Sequence, residues 1–79
     1  MDIIRRLQEK GATLVAYKSS KNGNGPLIEL IEINHDGIEW LISTTRYEDG
    51  HGIFTVAYVS SCKQIAEVYS VEDLVDLFN

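Results

Sequence analysis

The dipeptide Asp36-Gly37 constrains the fold more than any other part of the sequence, because it separates two runs rich in β-branched and aromatic residues. A two-residue hairpin turn needs positive φ at both central positions, and Asp-Gly is one of the pairs that adopt it. We therefore predict an antiparallel hairpin with strands at Leu27–Asn34 and Ile38–Thr45. The turn also predicts the cross-strand partners, which are His35 with Ile38, Ile33 with Trp40, Ile31 with Ile42, and Glu29 with Thr44.

A further strand is predicted before this hairpin, at residues 12–18. Strand alternation places Leu14 and Ala16 on one face, and Val15 and Tyr17 on the other. Residues 19–26 contain Asn-Gly twice and then a proline, a composition typical of a loop. The first strand is therefore expected to end before residue 19.

Two more strands are predicted after the hairpin. A second turn at residues 48–52 leads into a strand at Ile53–Ser60. Pairing Tyr47 with Ile53 places the aromatic and β-branched side chains of this strand on the Trp40 face. A short strand at Ile65–Tyr69 follows a polar link. The sequence thus predicts an antiparallel sheet of about five strands.

A helix is predicted at each end of the chain. Asp2 can cap the first helix, and Gly11 supplies the left-handed residue that commonly ends one. Ser70 begins the last helix in a variant of the capping box. The predicted buried stripes consist of Ile3, Ile4 and Leu7 in the first helix, and of Val71, Leu74, Val75 and Phe78 in the last. We therefore predict one α+β domain over residues 1–79, with the elements in the order α-β-β-β-β-β-α.

The second face of the predicted sheet is more apolar than a solvent-facing sheet surface normally is. Two short helices can cover one face of a five-stranded sheet but hardly both. Either the helices divide between the two faces, or one face is left for another chain. This second face carries Ile28, Leu30, Leu41, Tyr47, Ile53, Ala57 and Val59, interrupted by Glu32, Glu39, Ser43 and Thr45.

The charges are unevenly distributed along the chain, whose net charge is −5. Residues 1–21 carry five basic and two acidic side chains, whereas residues 22–79 carry two basic and ten acidic ones. Such an acidic field repels nucleic acid and attracts basic partners. A surface that only keeps the protein in solution is the alternative. We expect no direct binding of nucleic acid.

The sequence shows no pattern typical of a catalytic or metal site. Neither His35 nor His51 has another histidine or a cysteine at ligand spacing, and Cys62 is the only cysteine. Cys62 has no flanking pattern of the kind that activates a thiolate. We therefore expect no enzymatic activity, cofactor or metal. No apolar run approaches the roughly 18 residues that span a bilayer, and the single cysteine favours a reducing compartment. A cytoplasmic protein is expected.

These observations favour a non-enzymatic, acidic protein-binding module. Its most concrete form is a small inhibitor from a phage or mobile element, of the anti-CRISPR, anti-restriction or nuclease-immunity type, that blocks a basic nucleic-acid-binding surface. The alternative is a structural homo-oligomerising domain, such as a homodimer, that pairs through the apolar second face. The predicted partner-binding residues are Glu29, Glu32, Asp36, Glu39, Leu41, Glu48, Asp49, Val59, Glu67, Glu72, Asp73 and Asp76.

Overall fold

The fold consists of two helices and five strands in the predicted α-β-β-β-β-β-α order. A computed structural model describes residues 3–21 and 23–79. Asp2, which was expected to cap the first helix, lies outside the described residues. The elements are α1 (Ile3–Glu9), β1 (Thr13–Lys21), β2 (Leu27–His35), β3 (Ile38–Arg46), β4 (Gly52–Tyr58), β5 (Gln64–Val68) and α2 (Val71–Asp76).

The strands form one antiparallel sheet in which neighbours in the chain are neighbours in space, in the order β1-β2-β3-β4-β5. The β2–β3 hairpin confirms the predicted register, from the pair of His35 with Ile38 to the pair of Glu29 with Thr44. Asp36 and Gly37 have φ values of 54° and 80°. Both residues therefore have the left-handed conformation that this hairpin turn requires.

β1 differs from the prediction in its length and in the direction of its side chains. It continues to Lys21, because residues 19–21 pair with the start of β2 instead of forming a loop. A β-bulge between Leu14 and Ala16 shifts the alternation, so that Leu14 and Tyr17 lie opposite Ile33 and Ile31. The prediction that Leu14 and Tyr17 lie on opposite faces is therefore wrong.

The register of β3 with β4 also differs from the prediction. Ile53 pairs with Thr45 rather than with Tyr47, whose backbone N–H donates to the His51 carbonyl at 2.9 Å. The turn is therefore tighter than expected. A shift of two residues preserves the face, and the buried side chains of β4 lie on the Trp40 face as predicted.

Both helices pack on the same face of the sheet. Ser70 caps α2 as predicted, since its hydroxyl accepts a hydrogen bond from the Asp73 N–H at 3.1 Å. The helices are also joined directly, because the Arg6 guanidinium donates two hydrogen bonds of 2.7 Å to the Glu72 carboxylate. The core contains Ile3, Leu7, Ala12, Ile31, Ile33, Ile42, Phe54, Val56, Leu74, Val75 and Phe78. The helices of the described chain therefore do not divide between the two faces.

Candidate functional site

The face of the sheet opposite the helices is the candidate site, and we call it the open face. Its residues follow from the observed register, which alternates them with the core positions. Beyond the end of β4, Val59 extends this face, since its N–H donates to the Glu39 carbonyl at 3.2 Å. The open face comprises Thr13, Ala16, Lys18, Ser20, Ile28, Leu30, Glu32, Asn34, Glu39, Leu41, Ser43, Thr45, Ile53, Thr55, Ala57, Val59, Gln64 and Glu67.

Large apolar side chains are exposed on the open face. Ile28, Leu30 and Ile53 keep 45%, 43% and 36% of their surface accessible to solvent. Leu41 lies in the next cross-strand row beyond Leu30 and is half-buried. Thr45 separates Ile28 from Ile53. On the helix-covered side of the same strands, Ile31 has no exposed surface. Exposed aliphatic side chains grouped on one face in this way are typical of a contact surface.

The charged side chains of the open face have an ordered arrangement. One cross-strand row runs from Lys18 on β1 through Leu30, Ser43 and Thr55 to Glu67 on β5. The row spans four strand spacings, about 19 Å, so opposite charges stand at opposite edges of the sheet. Two further carboxylates of this face, Glu32 and Glu39, lie on the inner strands.

The structure separates the predicted partner-binding residues into distinct regions. Glu32, Glu39, Leu41, Val59 and Glu67 lie together on the open face. The other exposed candidates are Asp36 in the β2–β3 turn, Glu48 and Asp49 in the β3–β4 turn at the other end of β3, and Glu72, Asp73 and Asp76 on α2. The predicted acidic residues therefore do not form one continuous surface.

Glu29 is a buried structural residue, so the prediction that it contacts a partner is wrong. It is only 6% exposed and lies on the helix-covered face. Its carboxylate accepts hydrogen bonds from the Tyr17 hydroxyl at 2.7 Å, the Thr44 hydroxyl at 3.0 Å and the Arg46 guanidinium at 2.6 Å. A buried carboxylate needs such partners to compensate for lost hydration. Glu29 therefore stabilises the fold and does not face a partner.

Four of the exposed acidic candidates are engaged within the chain. The hydrogen bond from Arg6 lowers the pKa of Glu72. The backbone N–H of His51 donates to Asp49 at 3.1 Å and lowers the pKa of that carboxyl. The other two are Asp36, which lies 3.6 Å from the Nδ1 atom of His35, and Glu67 on the open face, which accepts a hydrogen bond from the Tyr69 hydroxyl. These internal contacts compete with any contact to a basic partner.

Lys18 is the open-face residue that sequence reasoning missed. Its partner, Leu30, follows from the pairing of β1 with β2. The sequence carries no local signal for this pairing, because the bulge between Leu14 and Ala16 changes which β1 residues face the helices.

The histidines and the cysteine of the described chain lie apart from one another. The Nε2 atom of His35 is 3.0 Å from the Lys10 carbonyl oxygen, and its ring packs edge-on against Phe78. His51 stacks on Tyr47 beside the β3–β4 turn. Cys62 is exposed. Among the described residues, no group of three or more His, Cys, Asp or Glu side chains is arranged to hold a metal ion.

A groove of about 520 Å³ lies at one end of the helix-covered side. Lys21, Arg46 and Glu48 line it together with several aromatic side chains. The charges of the three polar residues are mixed in sign, and Arg46 is already paired with Glu29 at 2.6 Å. The groove therefore presents no concentrated charge toward a ligand.

Comparisons of this chain with protein-family models, with curated proteins and with solved structures found no match. Within the described ranges, neither helix has the length and apolar character needed to cross a bilayer. The open face is therefore interpreted from its own geometry.

Proposed function

We propose that this protein is a non-enzymatic protein-binding module and that the open face of its sheet is the contact surface. The observation that supports the proposal is the exposure of Ile28, Leu30 and Ile53 on a face that neither helix covers. Removing such apolar surface from water is favourable by about 25 cal/mol per Å². A partner that covers this face therefore gains free energy from side chains that the chain itself leaves in solvent.

The size of the open face supports a modest interface. Five strands span about 19 Å, and strands of five to nine residues extend about 17–30 Å. The footprint is therefore about 500 Å² per molecule, below the roughly 800 Å² per partner of a standard interface. We expect a reversible complex rather than a permanent one.

The narrower version of the proposal is an inhibitor that blocks a basic, nucleic-acid-binding surface. Its support is the net charge of −5 and the small size of the chain. The exposed, unpaired Cys62 supports a reducing compartment such as the cytoplasm. Because the acidic residues lie in separate regions of the fold, the apolar open face supports the general proposal more strongly than the net charge supports this narrower one.

A photo-crosslinking experiment in the native host tests the proposal. A photoreactive amino acid at Leu30, on the open face, is compared with one at Leu77, an exposed leucine just after α2. We expect a covalent protein adduct from position 30, and none or far less from position 77. Equal adduct formation at the two positions, or none at position 30, would contradict the proposal.

A further inference from the structure

We infer that the partner on the open face is a second copy of this chain, an inference that depends on the proposed function. The two sheets face each other about a two-fold axis that runs parallel to the strands and passes by β3. This operation lays β1 of each copy over β5 of the other, and β2 over β4. The closed, symmetric pair that results is the commonest arrangement of soluble oligomers.

The charges of the open face are complementary under this operation. Lys18 on β1 and Glu67 on β5 belong to the same cross-strand row. When β1 lies over β5 of the other copy, Lys18 of each molecule faces Glu67 of its neighbour. Two identical pairs of opposite charge therefore form at the two edges of the interface, and both residues are exposed in the single chain.

Part of the apolar surface is complementary under the same operation. Ile28 on β2 and Ile53 on β4 belong to one row, on either side of Thr45. Ile28 of each copy therefore lies over Ile53 of the other. Leu41, on the central strand, meets Leu41 of the second copy. The exposed Leu30 faces Thr55 of the other copy, which covers it with a β-branched side chain.

A two-fold axis perpendicular to the strands gives the opposite electrostatic result. If this axis runs along the row from Lys18 to Glu67, each strand lies over the same strand of the second copy. Lys18 would then face Lys18, and Glu67 would face Glu67. Like charges directly opposed are unfavourable, so the charge pattern selects the axis parallel to the strands.

Two carboxylates oppose the pairing and limit its strength. Glu32 faces Ala57 of the second copy, and Glu39 faces Glu39. Glu39 lies at the end of the sheet near the β2–β3 turn and is exposed. Because Glu39 is on the central strand and close to the axis, pairing brings the two Glu39 carboxylates together at this end of the interface. The small footprint and these charges together predict a weak dimer that dissociates at about micromolar concentration.

Charge-reversal variants test the inference by sedimentation equilibrium between 1 and about 500 µM protein. We expect Lys18→Glu and Glu67→Lys each to raise the dimer dissociation constant about tenfold, because each places two like-charged pairs at the interface. An equimolar mixture of the two variants restores both pairs of opposite charge. We therefore expect the mixture to dimerise within about threefold of the unmodified protein.

Matched variants separate this geometry from a general effect of charge. Lys21→Glu makes the same charge change on β1, but Lys21 pairs with Leu27 on the helix side. Lys21→Glu should therefore leave the dissociation constant of the dimer within about twofold of the unmodified value. Glu39→Gln should lower the dissociation constant, because it removes the repulsion between the two Glu39 carboxylates. Circular dichroism checks that each variant is folded. We expect all of them to fold, because each substituted side chain is exposed.

Three results would overturn the inference: an unmodified protein that stays monomeric to 500 µM, a mixture that fails to recover, or a Lys21→Glu variant as weak as Lys18→Glu. The proposed function would survive any of these results if the photoreactive residue at position 30 still formed an adduct with a different protein. Loss of every adduct at position 30 would instead contradict the proposed function.

Discussion

The two faces of the sheet differ in burial although the same strands build both. On β2, Ile31 has no exposed surface while Leu30, the preceding residue, keeps 43%. The sequence of this strand is apolar on both faces. The difference therefore arises from where the two helices pack. A face becomes core because another element covers it, and strand composition alone does not decide which one.

Polar groups show the same contrast. Glu29, on the helix-covered face, accepts hydrogen bonds from Tyr17, Thr44 and Arg46. Glu32, three residues later on the open face, has no side-chain partner within the described residues and is left to water. The Glu29 carboxylate is therefore part of the hydrogen-bond network of the fold, whereas the Glu32 carboxylate on the open face is accessible to a partner.

Replacing one isoleucine on each face should give the largest difference. Ile31→Ala removes a fully buried side chain, and we expect it to lower the free energy of unfolding by about 2–5 kcal/mol. Ile28→Ala changes the same residue type on the same strand, where 45% of the surface is exposed, and should cost under about 1 kcal/mol. Urea denaturation at about 0.1 µM protein, about tenfold below the expected dissociation constant of the dimer, measures both. Equal losses would remove the contrast between the faces.

Replacing one glutamate on each face should give the next largest difference. Glu29→Gln removes the charge that Arg46 pairs with at 2.6 Å and disturbs three hydrogen bonds. We expect a loss of about 1–3 kcal/mol in the free energy of unfolding. Glu32→Gln should change stability by less than about 0.5 kcal/mol. If Glu29→Gln were as mild as Glu32→Gln, Glu29 would not be a structural residue.

The fold was predicted most accurately where local chemistry determines it. Asp36-Gly37 fixed every pair of the β2–β3 hairpin, and Ser70 marked the start of α2. The bulge in β1 and the tight turn at residues 48–50 were missed, since both depend on the exact register of β1 with β2 and of β3 with β4, which no local pattern specified. The common face of the two helices is likewise a tertiary property that no local pattern encodes.

Part of the candidate site could have been interpreted better from the sequence. The predicted register already placed Glu29 opposite Thr44, on the same face as Trp40. A carboxylate among core positions, with a hydroxyl opposite and Arg46 two residues further along, indicates a buried network. Lys18 could not be assigned in the same way, because its row depends on the bulge in β1.

The alkaline stability of the covered side depends on Tyr17. Its hydrogen bond to Glu29 raises the pKa of Tyr17 above its ordinary value of 10.0. The folded state therefore holds this proton more tightly than the unfolded chain, so the stabilisation is complete below pH 10 and is lost as the pH rises through the raised pKa. Tyr17→Phe should make the urea midpoint fall less between pH 9 and 12. Tyr47→Phe is the control, since the Tyr47 hydroxyl forms no hydrogen bond within the described residues, and an equal effect of the two substitutions would contradict the role of the Glu29 contact.

The smallest expected effect concerns the contact that holds both helices on one face. The hydrogen bond from Arg6 lowers the pKa of Glu72 below its ordinary value of 4.5. The folded state therefore favours the ionised carboxylate, and this stabilisation is present above pH 4.5 and is lost as the pH falls through the lowered pKa.

Glu72→Gln should accordingly lower the melting temperature slightly at pH 7, and this difference should shrink as the pH is lowered toward 3 and the Glu72 carboxylate takes up a proton. Added salt should reduce the difference at pH 7, because exposed ion pairs are screened. Asp73→Asn, on the same helix, serves as the control, since the Asp73 side chain is exposed and forms no ion pair within the described residues. A difference that stays the same from pH 7 to pH 3 would mean that packing between α1 and α2, rather than charge, keeps the helices together and the other face open.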